Sequence, residues 1–137
     1  MTQIRDLMTE NPSTCEPSTT VGEAAKVMAR EDVGPLPIVE GGRLKGVVTD
    51  RDLVVRVLAE ARDPGRTTVG EIASSQVVTV KPDASLEEAL KLLAKNQVRR
   101  LPVVEGDRLV GIVSQADVAR HADESQTGHV VEEISKP

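Results

Sequence analysis

Val33-Gly-Pro-Leu-Pro-Ile-Val-Glu-Gly-Gly-Arg-Leu-Lys-Gly-Val-Val-Thr-Asp-Arg-Asp-Leu53 returns 65 residues later as Val98-Arg-Arg-Leu-Pro-Val-Val-Glu-Gly-Asp-Arg-Leu-Val-Gly-Ile-Val-Ser-Gln-Ala-Asp-Val118. In the first copy two β-rich runs, Leu36–Glu40 and Leu44–Val48, flank Gly41-Gly42; in the second, Leu101–Glu105 and Leu109–Val113 flank Gly106-Asp107. Short apolar runs around a Gly-containing turn predict a β-hairpin. A helix follows each hairpin. Its apolar face is Leu53, Val54, Val57 and Leu58 in the first copy and, more briefly, Val118, Ala119 and Ala122 in the second.

Residues 4–53 align with residues 69–118 without a gap, and 17 of 50 positions are identical. Such self-similarity marks a duplicated structural unit. Upstream of each hairpin, Val21, Ala24, Ala25 and Met28 match Leu86, Ala89, Leu90 and Leu93, the i, i+3, i+4, i+7 spacing of one helix face. Thr20-Val-Gly-Glu23 and Ser85-Leu-Glu-Glu88 supply capping boxes at the two helix starts. A short strand near Thr14-Cys15 (Val78–Val80) and a leading helical turn at Ile4–Met8 (Val69–Ala73) complete each unit. The fold expected is therefore α/β (α+β): two βαββα repeats packed as a pseudo-twofold tandem pair, because a unit of about 50 residues buries too little surface alone. The repeats are placed at 1–60 and 69–122, joined by a linker at 61–68 around Pro64-Gly65. The tail, 123–137, carries Val130, Val131 and Ile134 at helical spacing and is expected to be partly helical.

Composition narrows the function classes. The chain has no Phe, Tyr or Trp and a net charge of −5, which removes the aromatic platforms and basic surface used to bind nucleic acid. Arg99-Arg100 is too short a basic patch to reverse that. No apolar run reaches the ~20 residues that cross a bilayer, and the N-terminal residues lack the basic-then-apolar pattern of a signal peptide. Cys15 is the sole cysteine, so no internal disulfide forms and a reducing, cytoplasmic home is expected. Nothing matches a nucleophile–base pair, a P-loop or a dinucleotide fingerprint, and His121 and His129 without a nearby Cys make only a weak metal site. The chain is expected not to be an enzyme, with no metal.

The doubled pattern Leu-Pro-Ile/Val-Val-Glu, then Gly-x-Val-Thr/Ser-x-x-Asp, resembles the CBS (cystathionine-β-synthase) domain family over residues 4–122 or so. The chain looks like the stand-alone tandem members, or Bateman modules. The resemblance implies a ligand in the cleft between the two domains, signalled in the family by Gly46…Thr49…Asp52 and Gly111…Ser114…Asp117. A hydroxyl and a carboxylate at a helix N-terminus suit a ribose, since the carboxylate accepts from vicinal hydroxyls while the helix end favours phosphate. Thr/Ser-x-x-Asp is equally a helix N-cap, and one residue set can do both. Arg99 and Arg100, on the strand that edges the cleft in this family, are phosphate candidates. The first repeat has Gly34 and Pro35 there instead. Walls for an adenine are expected from Thr14, Cys15, Leu36 and Ile38 in one repeat and Thr79, Val80, Leu101 and Val103 in the other, where ordinary core packing competes.

The reading is thus a regulatory module for an adenosine-containing ligand (AMP, ADP or ATP, with NAD or S-adenosylmethionine also compatible). It is expected to act as a homodimer and to signal in trans to an unknown protein target, without membrane or nucleic-acid partners. The alternative is a ligand-independent dimeric stress or scaffold protein in which both Thr/Ser-x-x-Asp segments serve only as caps.

Overall fold

The structure, a computed structural model, describes residues 2–74 and 76–124. The chain forms two compact units that do not coincide with the sequence repeats. The unit around the first hairpin is Ser13–Val77; the unit around the second combines the residues up to Pro12 with those from Val78 onward.

In the first-hairpin unit, α1 (Val21–Glu31) begins where expected: Thr20 Oγ1 accepts from the Glu23 N–H and the Glu23 carboxylate returns to the Thr20 N–H. Its buried face is Val21, Ala24 and Met28; Ala25, expected on that face, is exposed. The helix ends at Asp32 in the left-handed region, φ 54°. Strands β2 (Leu36–Glu40) and β3 (Arg43–Val48) then form the antiparallel hairpin. Its turn residues Gly41 and Gly42 have φ of 61° and 82°, a conformation that glycine adopts without steric cost. The short strand expected at Thr14-Cys15 is only one parallel bridge, Cys15 to Ile38. The Cys15 N–H donates to the Pro37 carbonyl and the Val39 N–H donates to the Cys15 carbonyl, at the point where the hairpin register shifts between Ile38 and Val39.

The helix after the hairpin starts as α2 (Asp50–Leu53) and continues as a π-helical turn over Val54–Leu58. Here Ala59 N–H reaches the Val54 carbonyl, five residues back. The apolar face read from the sequence is buried only in part. Val57 is buried and Leu53 packs on the core, whereas Val54, Val55 and Leu58 are 55%, 46% and 67% exposed. The unit closes with α3 (Val69–Ile72), whose Val69 and Ile72 sit in one buried cluster with Leu36, Ile38 and Val48.

The second-hairpin unit repeats this plan with α4 (Leu86–Asn96), β4 (Arg100–Glu105), β5 (Arg108–Ser114) and α5 (Gln115–Glu124). Ser85 caps α4 by accepting from the Glu88 N–H. The strand expected at Val78–Val80 is again one bridge, Val80 to Val103, and the register again shifts immediately after, between Val103 and Val104. A 3-10 turn, Ile4–Asp6, and the two-residue strand β1 (Thr9–Glu10) complete this unit; β1 pairs antiparallel with β5. Ile4 is fully buried in a cluster with Leu101, Val103, Val113 and Val118.

Each repeat's leading turn therefore packs in the unit of the other repeat's hairpin. The glycine that opens the Gly-x-Val-Thr/Ser sequence makes this possible. A Cβ on Gly46 would stand 2.7 Å from the Ser74 carbonyl oxygen, and one on Gly111 would stand 2.6 Å from Met8 Sδ and 2.9 Å from the Thr9 carbonyl oxygen. All three distances are inside van der Waals contact, so only glycine lets the segment after the leading turn lie against the strand. Residues of the tail beyond Glu124, including Val130, Val131 and Ile134, lie outside those described.

Candidate functional site

Thr49 and Ser114 end their hairpins and begin their helices, so each hydroxyl sits where a strand hands over to a helix. Thr49 N–H donates to Asp52 Oδ2 at 2.8 Å, and the Asp52 N–H donates back to Thr49 Oγ1 at 3.1 Å. Ser114 N–H donates to Asp117 Oδ2 at 3.0 Å, and the Asp117 N–H donates to Ser114 Oγ at 3.0 Å. Each is a reciprocal capping box that satisfies two backbone donors with one hydroxyl and one carboxylate oxygen. In both, Oδ1 is left outside the box and an arginine one turn along the helix approaches it. Arg120 Nη2 stands 2.6 Å from Asp117 Oδ1, and Arg56 Nε stands 3.9 Å from Asp52 Oδ1. The sequence reading missed these arginines, although Asp at i with Arg at i+3 or i+4 is a legible helical pair.

The two boxes differ in what the neighbouring strand end carries. Arg100 lies directly across the ladder from Ser114, and the Arg99 carbonyl accepts from the Gln115 N–H at 2.8 Å. Arg99 is exposed and Arg100 half-buried at this strand end, and Arg120 is the arginine in contact with Asp117 among the described residues. At the matched place in the first repeat the Gly34 carbonyl accepts from the Asp50 N–H. A Cβ on Gly34 would stand 3.1 Å from Asp50 Oδ1. There a second carboxylate occupies the side that faces arginine in the other repeat.

The residues expected to wall an adenine divide by burial. Leu36, Ile38, Val80, Leu101 and Val103 are sealed in the cores of their units, at most 4% exposed, and present no free face to a ligand. Cys15 is buried as well. Its thiol donates weakly to the Pro37 carbonyl at 3.7 Å, and burial pushes its pKa up to about 11, so it stays protonated. Thr14 is exposed and Thr79 half-buried, which leaves these two threonines as the reachable part of the set.

Other clusters are structural. A shallow depression of about 370 Å³ is lined by Arg56, Glu60, Arg62, Glu71 and Ile72. Its polar groups already serve each other: Arg56 Nη1 donates to the Ile72 carbonyl at 3.0 Å, and Arg62 approaches Glu71 at 3.6 Å. The backbone N–H of Thr68 is the main cause holding the Glu71 pKa below its usual range, with Thr68 Oγ1 and Arg62 adding to it. His121 Nε2 lies 3.1 Å from Thr2 Oγ1. Among the described residues no three His, Cys, Asp or Glu side chains are grouped to hold a metal, and His129 lies outside them. No helix among the described residues is long and apolar enough to cross a membrane.

Comparison with known proteins matches both halves of this arrangement. Residues 4–59 and 69–124 each match the model of the CBS domain. The chain is 45% identical over 119 residues to the CBS domain-containing protein YhcV of Bacillus subtilis, covering 87% of this chain and 84% of that one. It is 41% identical over 138 residues to hypoxic response protein 1 of Mycobacterium tuberculosis, covering 100% and 96%. A crystal structure of Hypoxic Response Protein I, solved with two coordinated zinc ions, superposes with a TM-score of 0.81 at 42% identity, covering 88% of this chain and 98% of that one. The structure of CBSX2 in complex with AMP superposes with a TM-score of 0.81 at 28% identity, covering 92% and 99%.

Proposed function

Since the chain belongs to the CBS domain family and carries two such domains in tandem, we propose that it is a regulatory module for an adenosine-containing ligand, held through Asp117 and, more weakly, Asp52. Asp117 Oδ1 would accept from the ribose hydroxyls, while Arg99 and Arg100 would meet the phosphate. Thr79 would border the base of a ligand on Asp117, and Thr14 that of a ligand on Asp52. The observation that carries this reading is the charge asymmetry. Beside the capping box the paired strand end carries Arg99 and Arg100 in one repeat, and Gly34 with the Asp50 carboxylate next to it in the other, which favours a nucleotide anion at the second box over the first. The likeness to a protein solved with AMP supports the ligand class. The output would pass to a separate protein target, through a homodimer whose contact includes the outward Val54, Val55 and Leu58.

One observation favours the alternative of a ligand-independent dimeric protein: both boxes are satisfied internally, as structural caps are. Two measurements separate the readings. A chain without Phe, Tyr or Trp absorbs almost nothing in the near ultraviolet, so nucleotide carried through purification dominates its spectrum. Mass spectrometry of a denatured extract then names it. Titration of AMP, ADP, ATP, NAD and S-adenosylmethionine into the stripped protein ranks them. The module reading requires saturable binding of at least one and a stronger hold on phosphorylated ligands than on adenosine. A smaller preference is expected on replacing Arg99 and Arg100 together by Ala, since a charge-assisted contact to phosphate contributes about 1.5–3 kcal/mol. A flat titration with all five leaves the scaffold reading.

A further inference from the structure

We propose that Arg120 makes the Asp117 site discriminate against adenosine ligands that carry no phosphate, an inference that rests on the ribose role given to Asp117 above. Within the box, Asp117 Oδ2 is committed to the Ser114 N–H, so Oδ1 is the oxygen a ribose hydroxyl would meet first. That oxygen is already held by Arg120 at 2.6 Å. A ribose arriving alone must displace or share a charge-assisted hydrogen bond and gives the freed guanidinium nothing in exchange. A ribose bearing a phosphate brings an anion, and Arg120 transfers from carboxylate to phosphate oxygen.

The geometry suits this transfer at one site only. The Arg120 side chain is 72% exposed and Asp117 is its partner among the described residues, so it is a long cationic arm tethered at its tip. It springs from the same helix face as Asp117, three residues on. Arg56, its counterpart on the first repeat, is different. Its Nη1 donates to the Ile72 backbone carbonyl, and its Nε stays 3.9 Å from Asp52 Oδ1. Anchored to the backbone and more distant from the carboxylate, Arg56 neither masks Asp52 nor swings to a ligand. The second site therefore reads phosphate twice, through what Arg99 and Arg100 attract and through what Arg120 withholds.

The test is a titration of adenosine and of AMP into the full chain as wild type, Arg120→Gln, Asp117→Ala and the double variant. Removing a tether of this largely exposed kind should strengthen adenosine binding roughly two- to fivefold and leave AMP equally or less tightly bound, so the AMP preference shrinks. In the Asp117→Ala background the Arg120 substitution should change adenosine binding by nothing measurable. Arg120→Lys, which keeps the charge and the helix but not the planar fork, should fall between wild type and Gln, and it guards against a variant that folds poorly. Adenosine affinity that depends on Asp117 but is unchanged or weaker in Arg120→Gln overturns this inference alone. Adenosine affinity indifferent to Asp117, or no binding of either probe, overturns the ribose role and the inference together.

Discussion

Replacing Ile4 by Ala tests the exchange of leading turns. Ile4 lies at the start of the first sequence repeat, yet its side chain is fully buried with Leu101, Val103, Val113 and Val118 of the second. Its backbone is pinned: the Ile4 N–H donates to the Ala84 carbonyl at 2.9 Å, and the Leu7 and Met8 N–H groups both reach the Ile4 carbonyl at 3.0 Å. A turn tied on both sides cannot sink into the space left behind, so the cavity persists. The cost should fall in the middle of the range for Ile→Ala, about 3–4 kcal/mol. Val69→Ala, at the matched position of the second repeat, removes a smaller side chain from the core of the first hairpin and should cost about 2 kcal/mol. Denaturant unfolding gives the magnitudes, and hydrogen exchange read by mass spectrometry gives the location. In Ile4→Ala, protection should fall in β4, β5 and α5 while β2 and β3 keep theirs; Val69→Ala should give the opposite map. A loss below about 1 kcal/mol, or lost protection centred on β2 and β3 in Ile4→Ala, would refute the exchanged packing.

Asp117→Ala should weaken adenosine-ligand binding by about 1.5–3 kcal/mol and lower fold stability by only ~1 kcal/mol; calorimetric titration beside a thermal melt separates the two effects, and equal affinity would reduce Asp117 to a cap. Leu58→Glu puts a charge on the outward π-turn ridge, and light scattering at tens of micromolar should report a dimer for wild type and a monomer for the variant. For Cys15, burial raises the folded pKa from 9.0 to about 11. The neutral thiol's contribution to stability is complete below pH 9.0 and drains away as pH climbs to about 11, so Cys15→Ala should flatten the stability profile in that window. Gln97, left-handed at φ 52° at the end of α4, should stabilise the protein by roughly 0.5–1 kcal/mol when replaced by Gly, which a denaturant midpoint would register.

Local chemistry made much of this protein legible in one dimension. Gly41-Gly42 needs positive φ at both positions, and only a tight hairpin turn uses that pair between apolar runs. Thr20 with Glu23, and Thr49 with Asp52, are caps closed across three residues, so their partners are written next to them. The duplication doubled each signal, and the family could be named from it. Burial and long-range pairing were not legible in this way. The residue types suited to wall an adenine, Leu36, Ile38, Leu101 and Val103, are the same types that fill a core, and which they do depends on what covers them. In the helix after the first hairpin, a 3.6-residue period put Val54 and Leu58 beside Val57. In the structure Val57 is buried while Val54 and Leu58 lie exposed, because periodicity says which residues share a side of the helix and not how far the core reaches across it. Above all, the sequence places each leading turn with the repeat it precedes. Only the tertiary structure sends it to the other hairpin, where a strand glycine leaves room for a backbone 65 residues out of register. Capping boxes and turns close over a few residues and so can be read from neighbours. The partner of Ile4 is chosen by which distant surface has the gap to accept it.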